Sequence, residues 1–381
     1  MRDRTDSTKR SYSWVIENGA LTTPELERIA TEMGAVAFGV TSSDPFHEAR
    51  TTLIEHRARG MSGPLHFTYD DPDTSTDVTR AYPWARSIVV FAHDYLGTTS
   101  APAASGPVVA RFATRDQYQP VRCIAEAISS RLRVAGARAV ISIDDNALVD
   151  RAVAARAGVG WLGKSTMLLA PGHGPWLLLG SVITDLNLAT TEPMRRTCGT
   201  CVACIPACPT GAITPNGLDA GLCISTWLQS SGPIPHWIRH LVERRIYGCD
   251  DCLTSCPPGW PARERFPESP ETLSFASLLA MSDEDLLERF AWFYVPHRDP
   301  RFLRRNLLVA AGNSEESEAV SPILDHFTHR SSLVRGHAYW ALARSLGEQA
   351  WTTLRRRHAF ETVPDALKEL EHALSMTRSP A

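Results

Sequence analysis

The sequence predicts an α+β multidomain protein. An N-terminal mixed α/β domain covers residues 13–190, a small cysteine-rich domain covers 191–262, and an α-helical repeat domain covers 263–381, after a disordered polar tail at 1–12. Three observations predict this. Short apolar strands alternate with helices up to residue 184, eight of the nine cysteines lie between Cys198 and Cys256, and an apolar helical pattern recurs with a period of 30 residues from Arg304 onward. A chain of 381 residues is expected to form two or three domains, at roughly 100–200 residues each. With 43% apolar residues it can build real cores, and with a net charge of −3 it would need a local basic patch to meet a nucleic acid.

The elements of the first domain follow from local signals. Thr23-Pro24-Glu25 reads as an N-cap, a proline in the first helical turn and an acid at the positive end of the dipole. That helix runs to about Met33 and stops at Gly34. Residues 35–41 form a buried strand, and 42–84, rich in Gly, Pro and Asp, read as irregular. Residues 87–92 and 139–143 are further strands. Between them, 118–135 is an amphipathic helix carrying Cys123, which is expected to be a buried thiol. Leu148 to Ala157 is a helix closed by Gly158, and 175–184 is a last strand. Strands and helices alternating in this way predict a mixed α/β layer structure.

The cysteines of the second domain carry chemistry. Cys198-Gly-Thr-Cys201-Val-Ala-Cys204-Ile-Pro-Ala-Cys208-Pro209 has the spacing of bacterial ferredoxins, in which three cysteines ligate one [4Fe–4S] cluster and the fourth ligates another. Cys249-Asp-Asp-Cys252-Leu-Thr-Ser-Cys256-Pro257 repeats the pattern without its first cysteine, and Cys223 upstream replaces it. The crossover rule gives Cys198, Cys201, Cys204 and Cys256 as one ligand set and Cys208, Cys223, Cys249 and Cys252 as the other. The alternative is structural zinc, which more usually takes two separated C-x2-C pairs. Disulfides fit poorly: residues 1–10 have no apolar signal region. No run of ~18 apolar residues predicts a membrane span. A cytoplasmic protein is expected.

In the third domain, Arg304–Ala311 aligns with Val334–Ala341 and with Pro364–Glu371. This predicts short solenoid repeats of the HEAT type, a plain helical bundle being the alternative. Solenoids present extended surfaces to macromolecules. Arg298, Arg301, Arg304, Arg305, Arg335 and Arg355 to Arg357 would supply a positive side, although each taken singly reads better as an ordinary solvated arginine.

Two clusters conduct electrons but do not act on a substrate. The segment that could is Ile143 to Arg151 followed by Ala157 to Thr166. Asp144 follows a strand end, where α/β folds place their sites, or else caps the next helix. Gly158, Gly160 and Gly163 allow close approach to a ligand, and Lys164 could bind a phosphate or carboxamide. The glycines fit neither a dinucleotide fingerprint nor a P-loop.

With these segments in view, the chain resembles the epoxyqueuosine reductase family from about residue 24 to its C-terminus. The resemblance is carried by Ala85–Val90, Ala110–Tyr118, Asp144–Thr166, Gly174–Gly180, Thr184–Leu186, Cys198–Gly211, Arg245–Cys252, Arg305-Asn306 and Gly312-Asn313. It implies cobalamin bound in the N-terminal domain, with Arg111, Tyr118, Gly158, Gly160, Trp161, Gly163, Lys164, Ser165 and Thr166 as contacts. It also implies an external low-potential electron donor, a tRNA anticodon arm held by the helical repeats, a monomer, and removal of the epoxide oxygen of epoxyqueuosine with Asp144 as proton donor. A carboxyl buried beside an apolar cofactor would be held protonated for that task. The sequence lacks a D-x-H-x-x-G motif, which agrees with cobalt bound without a protein histidine below it. Two positions depart from the family: Gln119 stands in place of histidine, and Ile143–Leu148 in place of Val-Asp-Thr-x-Pro-Val. Competing readings are another cobalamin and iron–sulfur reductase, a paralogue acting on a small molecule, and a non-catalytic ferredoxin-type carrier.

Overall fold

The computed structural model describes residues 21–96, 105–215, 217–260 and 273–377. The expected tail at 1–12 and the expected boundary at 262 lie outside the described residues.

The first part is a four-stranded antiparallel sheet. Strands β1 (Ala37–Ser42), β2 (Ser87–Asp94), β3 (Ala139–Ser142) and β4 (Leu177–Thr184) lie in the order β1-β2-β4-β3. Helices cover both faces. On one face α1 (Thr23–Glu32) and α3 (Tyr118–Val134) pack Leu26, Ile124, Ile128 and Leu132 against Val89, Phe91 and Val182. On the other, α4 (Asp150–Arg156) packs Val153 and Ala154 against Ile88, Val90 and Ile183. The central strand is thus buried on both sides, so its sequence is a continuous apolar run without alternation. Gly180 faces Phe91, where a Cβ would stand 2.4 Å from the ring.

Two expectations are corrected. The region 42–84 is not wholly irregular: α2 (His47–Ala58) forms there. It buries only His56, so it has helix-forming residues without an apolar stripe to reveal it. Cys123 is exposed, because the buried face of α3 is Val121, Ile124, Ala125, Ile128 and Leu132.

The cysteine segment is tied to both neighbours. Val108–Val109 pairs in parallel with Arg245 and Tyr247, and the Arg111 N–H donates to the Asp250 carboxylate at 2.7 Å. On its other side, Ile224, Leu228, Ile234, Ile238, Val242 and Ile246 share one core with the C-terminal helices. Those helices stack in chain order: α5 (Pro300–Asn313) on α6 (Ser332–Leu346), and α6 on α7 (Pro364–Met376), with shorter helices at Val320–Asp325 and Trp351–His358 between them. Gly312 allows the first crossing: a Cβ there would lie 2.8 Å from Ala341 Cα. Among the described residues no helix is long and apolar enough to cross a membrane.

Candidate active site and cluster-binding segment

The eight cysteines between Cys198 and Cys256 are free thiols, with Cys198, Cys201 and Cys204 as neighbours of Cys256 and Cys208 and Cys223 among those of Cys252. Burial, and then the neighbouring Cys198, Cys204 and Cys201, push Cys256 up to about 11. Burial, and then Cys223, Asp250 and Cys208, push Cys252 up, while Cys249 is raised by burial, Asp251 and Cys252. Thiols this crowded resist ionising together, and it is bound iron that would hold them as thiolates.

Lys164 belongs to this segment. Its Nζ donates to the carbonyls of Gly199 (2.9 Å) and Cys201 (3.0 Å), and its backbone N–H points at Cys198 Sγ from 3.4 Å. Its place is therefore against the first cysteine loop. The three glycines before it make room for protein. A Cβ at Gly158, where φ is +72°, would meet Glu192 O at 2.2 Å; at Gly160, Leu169 O at 2.2 Å; at Gly163, Leu169 Cδ1 at 2.5 Å. Trp161 and Ser165 are buried, and the Thr166 carbonyl accepts from Arg151. Buried Arg111 stands with its guanidinium carbon 5.0 Å from the Trp176 ring centroid.

Asp144 sits in the turn after β3, with φ +53°. Its Oδ2 accepts from the Tyr118 hydroxyl at 3.3 Å. Capping of the following turn falls instead to Asp145, which accepts the Ala147 N–H at 2.9 Å. Burial, then the Asp144 charge, raise the Tyr118 hydroxyl. Tyr247 is raised by burial, with Asp144 among its neighbouring charges, and its hydroxyl donates to Gln229 and accepts the Tyr294 N–H. Asp150, at the start of α4, is pushed up to about 7 by burial and then by Asp144, and its carboxyl has no hydrogen-bond partner among the described residues. Burial, then the charges of Arg151 and Asp219, act on the Tyr69 hydroxyl, which is raised. Gln119 is exposed. Asp150 and Tyr247 are additions to the residues expected from sequence. Asp150 was legible only as an acid six residues past Asp144, and Tyr247 only as a neighbour of Cys249.

Three of the eight arginines of the expected positive face, Arg304, Arg305 and Arg335, are internal, while Arg298, Arg301, Arg355 and Arg356 are exposed. Arg304 is buried against Asp283 and the Met281 carbonyl. Arg305 is fully buried, donating to the carbonyls of Gly232, Trp227 and Ser230. Arg335 is buried in a two-pronged pair with Glu361 at 2.7 and 2.9 Å. Arg298 turns back to main-chain carbonyls and Arg301 to Asp299. Arg355 and Arg356 remain exposed.

A double-cluster cysteine segment set against a sheet domain with a tyrosine-held carboxyl defines an iron–sulfur oxidoreductase. A family model described as a 4Fe-4S double cluster binding domain matches residues 197–259. An epoxyqueuosine reductase of Xanthomonas campestris pv. campestris is 31% identical over 84% of this chain and 95% of its own, and one of Bacillus subtilis is 29% identical over 93% and 96%. The fold superposes on a crystal structure of epoxyqueuosine reductase with an epoxyqueuosine-modified tRNA-Tyr stem loop, with a TM-score of 0.83 at 26% identity, covering 93% of this chain and 98% of that one. It also superposes on a Bacillus subtilis structure described as having its catalytic aspartate loop swung out of the active site, with a TM-score of 0.80 at 26% identity over 93% and 98%. The chain belongs to the epoxyqueuosine reductase family.

Proposed function

We propose that this protein reduces epoxyqueuosine to queuosine at the wobble position of tRNA, taking up two electrons and two protons and releasing water. The observation that carries this reading is the placement of Asp144, held by Tyr118 at the end of the sheet and beside the cysteine segment. Opening an epoxide leaves an alkoxide, and Asp144 would deliver its proton. Asp150 stands beside it as a second carboxyl that retains a proton up to about pH 7.

The residues fit the cofactors. The two cysteine groups would hold two [4Fe–4S] clusters, with Cys198, Cys201, Cys204 and Cys256 around one and Cys208, Cys223, Cys249 and Cys252 around the other. The site beside Asp144 offers the rings and hydroxyls of Tyr118 and Tyr247 and the unpartnered Asp150 carboxyl, a mixed apolar and polar wall suited to cobalamin. Bound cobalamin would supply the strong reductant or nucleophile that an epoxide demands. The chain's own residues orient the substrate, exclude water and move protons. The exposed rings of Phe67 and Tyr294, with centroids 5.3 Å apart, offer a stacking surface to a splayed anticodon loop. The stacking of α5, α6 and α7 at the sequence repeat supports the HEAT-like reading, with exposed Arg355 and Arg356 as its free cations. We take the chain to act as a monomer built of the three domains at 13–190, 191–262 and 263–381.

The test is anaerobic reconstitution with iron, sulfide and cobalamin, followed by reductant and an epoxyqueuosine-bearing tRNA stem loop. Mass spectrometry should show loss of one oxygen from the wobble nucleoside. Asp144→Asn should keep about eight irons per chain while losing turnover by about 100-fold or more. No conversion by fully loaded wild type would transfer the reading to a paralogue with a small-molecule substrate.

A further inference from the structure

We infer that the exposed rim around the first cysteine group is the docking surface for an acidic, low-potential electron-carrier protein. This rests on the double-cluster reading and not on the identity of the substrate. The two cysteine groups differ in what surrounds them. Cys252 packs among Tyr95, Leu96, Trp176 and Leu253, Cys249 packs against the core of the C-terminal helices, and Tyr247, two residues before Cys249, adjoins Asp144. That group faces the catalytic site. Cys201 of the other group is exposed, with Cys198 and Cys256 half-buried. Electrons from outside therefore meet the first group before the second.

The surface around Cys201 has the composition of a protein interface. Leu162, Val202 and Trp260 are exposed by 47%, 50% and 51%. Its three segments are basic, with Glu192 exposed at the edge of one and Asp94 paired with His173 of another. The three segments that meet there, 160–176, 193–211 and 253–260, contain no aspartate or glutamate and carry Lys164, Arg195 and Arg196, although the whole chain has a net charge of −3. Lys164 is fixed against the cysteine loop, Arg196 lies 5.7 Å from the Trp161 ring centroid, and Arg195 is exposed with no partner among the described residues. A cavity of about 530 Å³ opens here, bounded by Trp161, Pro171, Arg196, Thr197 and Pro258. The buried Nε1 of Trp161 has no partner among the described residues. A rim carrying Lys164, Arg195 and Arg196 around an apolar centre favours an acidic partner and speeds its encounter.

The experiment uses the reconstituted full chain and an acidic flavodoxin, photoreduced, as the probe. Stopped-flow bleaching of the cluster absorbance is recorded with flavodoxin and, separately, with dithionite. In Arg195→Glu/Arg196→Glu the flavodoxin rate constant should fall by about tenfold or more and lose most of its salt dependence. The dithionite rate and the iron content should be unchanged, and Arg195→Lys/Arg196→Lys should behave as wild type. A flavodoxin rate equal to wild type would overturn the inference, as would equal slowing with both reductants. So would loss of tRNA stem-loop affinity with flavodoxin reduction intact, which would give this face to nucleic acid. Turnover is not read, so an error in the substrate leaves these outcomes unaffected.

Discussion

At Asp144 the backbone adopts a left-handed φ of +53°, which costs a non-glycine residue about 1 kcal/mol or more. The conformation turns the carboxylate toward Tyr118 and brings it near Asp150. Asp150 responds by holding its proton up to about 7, through burial first and the Asp144 charge second. The linkage has a definite sign. An unfolded aspartate releases its proton near pH 3.9, so between about pH 4 and about pH 7 the folded chain keeps a proton that the unfolded chain has lost. This contribution to stability is complete below that window and is lost as the pH rises through about 7. Asp150→Asn cannot ionise. Its denaturant midpoint should therefore stay level across the window while that of wild type falls, and parallel midpoints would show that Asp150 titrates normally.

At the scale of elements, Arg305-Asn306 shows how a short motif joins two parts of the chain. Asn306 Nδ2 donates to the carbonyls of Leu228 (2.7 Å) and Ile246 (3.0 Å), and Arg305 closes the 227–232 turn beside them. Asn306→Ala would leave two buried carbonyls unpaired, at about 1–3 kcal/mol each. The variant should melt lower and lose iron to a chelator faster than wild type, while its sheet domain keeps its protection in hydrogen exchange. The sequence made the strands and α3 legible because burial on both faces writes apolar runs between Gly and Pro breaks. It made the cluster ligands legible because cysteine spacing is itself the geometry. It did not reveal the partners of charged residues. Arg335 meets Glu361 from 26 positions away, and Lys164 meets the Gly199 carbonyl from 35. Sequence displays a charge but not the carbonyl or carboxylate folded against it, so buried arginines read as a surface. The helix α2 was hidden for the converse reason: it has propensity without an apolar face.

At the scale of the whole molecule, the cysteine segment is two kinds of structure under one motif. Residues 224–247 contribute Ile224, Leu228, Ile234, Ile238, Val242, Ile246 and Tyr247 to the core of the C-terminal helices. The described residues of 198–223 and 249–260 have only the short helices Cys204–Ala207 and Asp251–Thr254, a 3-10 turn at Pro257–Gly259 and the paired strands Ile213–Thr214 and Gly217–Leu218, with Ala212, Ile213, Ala220 and Leu253 as their chief buried apolar side chains. So little apolar burial cannot offset the entropy of ordering those loops. Ligation must supply the difference, as it does in other metal-dependent segments. Removing iron anaerobically should therefore release amide protons across 198–223 and 249–260 to near-unstructured exchange rates. Residues 234–247 and the helices α5 to α7 should retain protection, since their contacts are apolar and independent of the clusters. Exchange spreading through 234–247 would mean that the clusters hold the C-terminal core as well. Exchange confined to the immediate cysteines would mean that the loops fold without them.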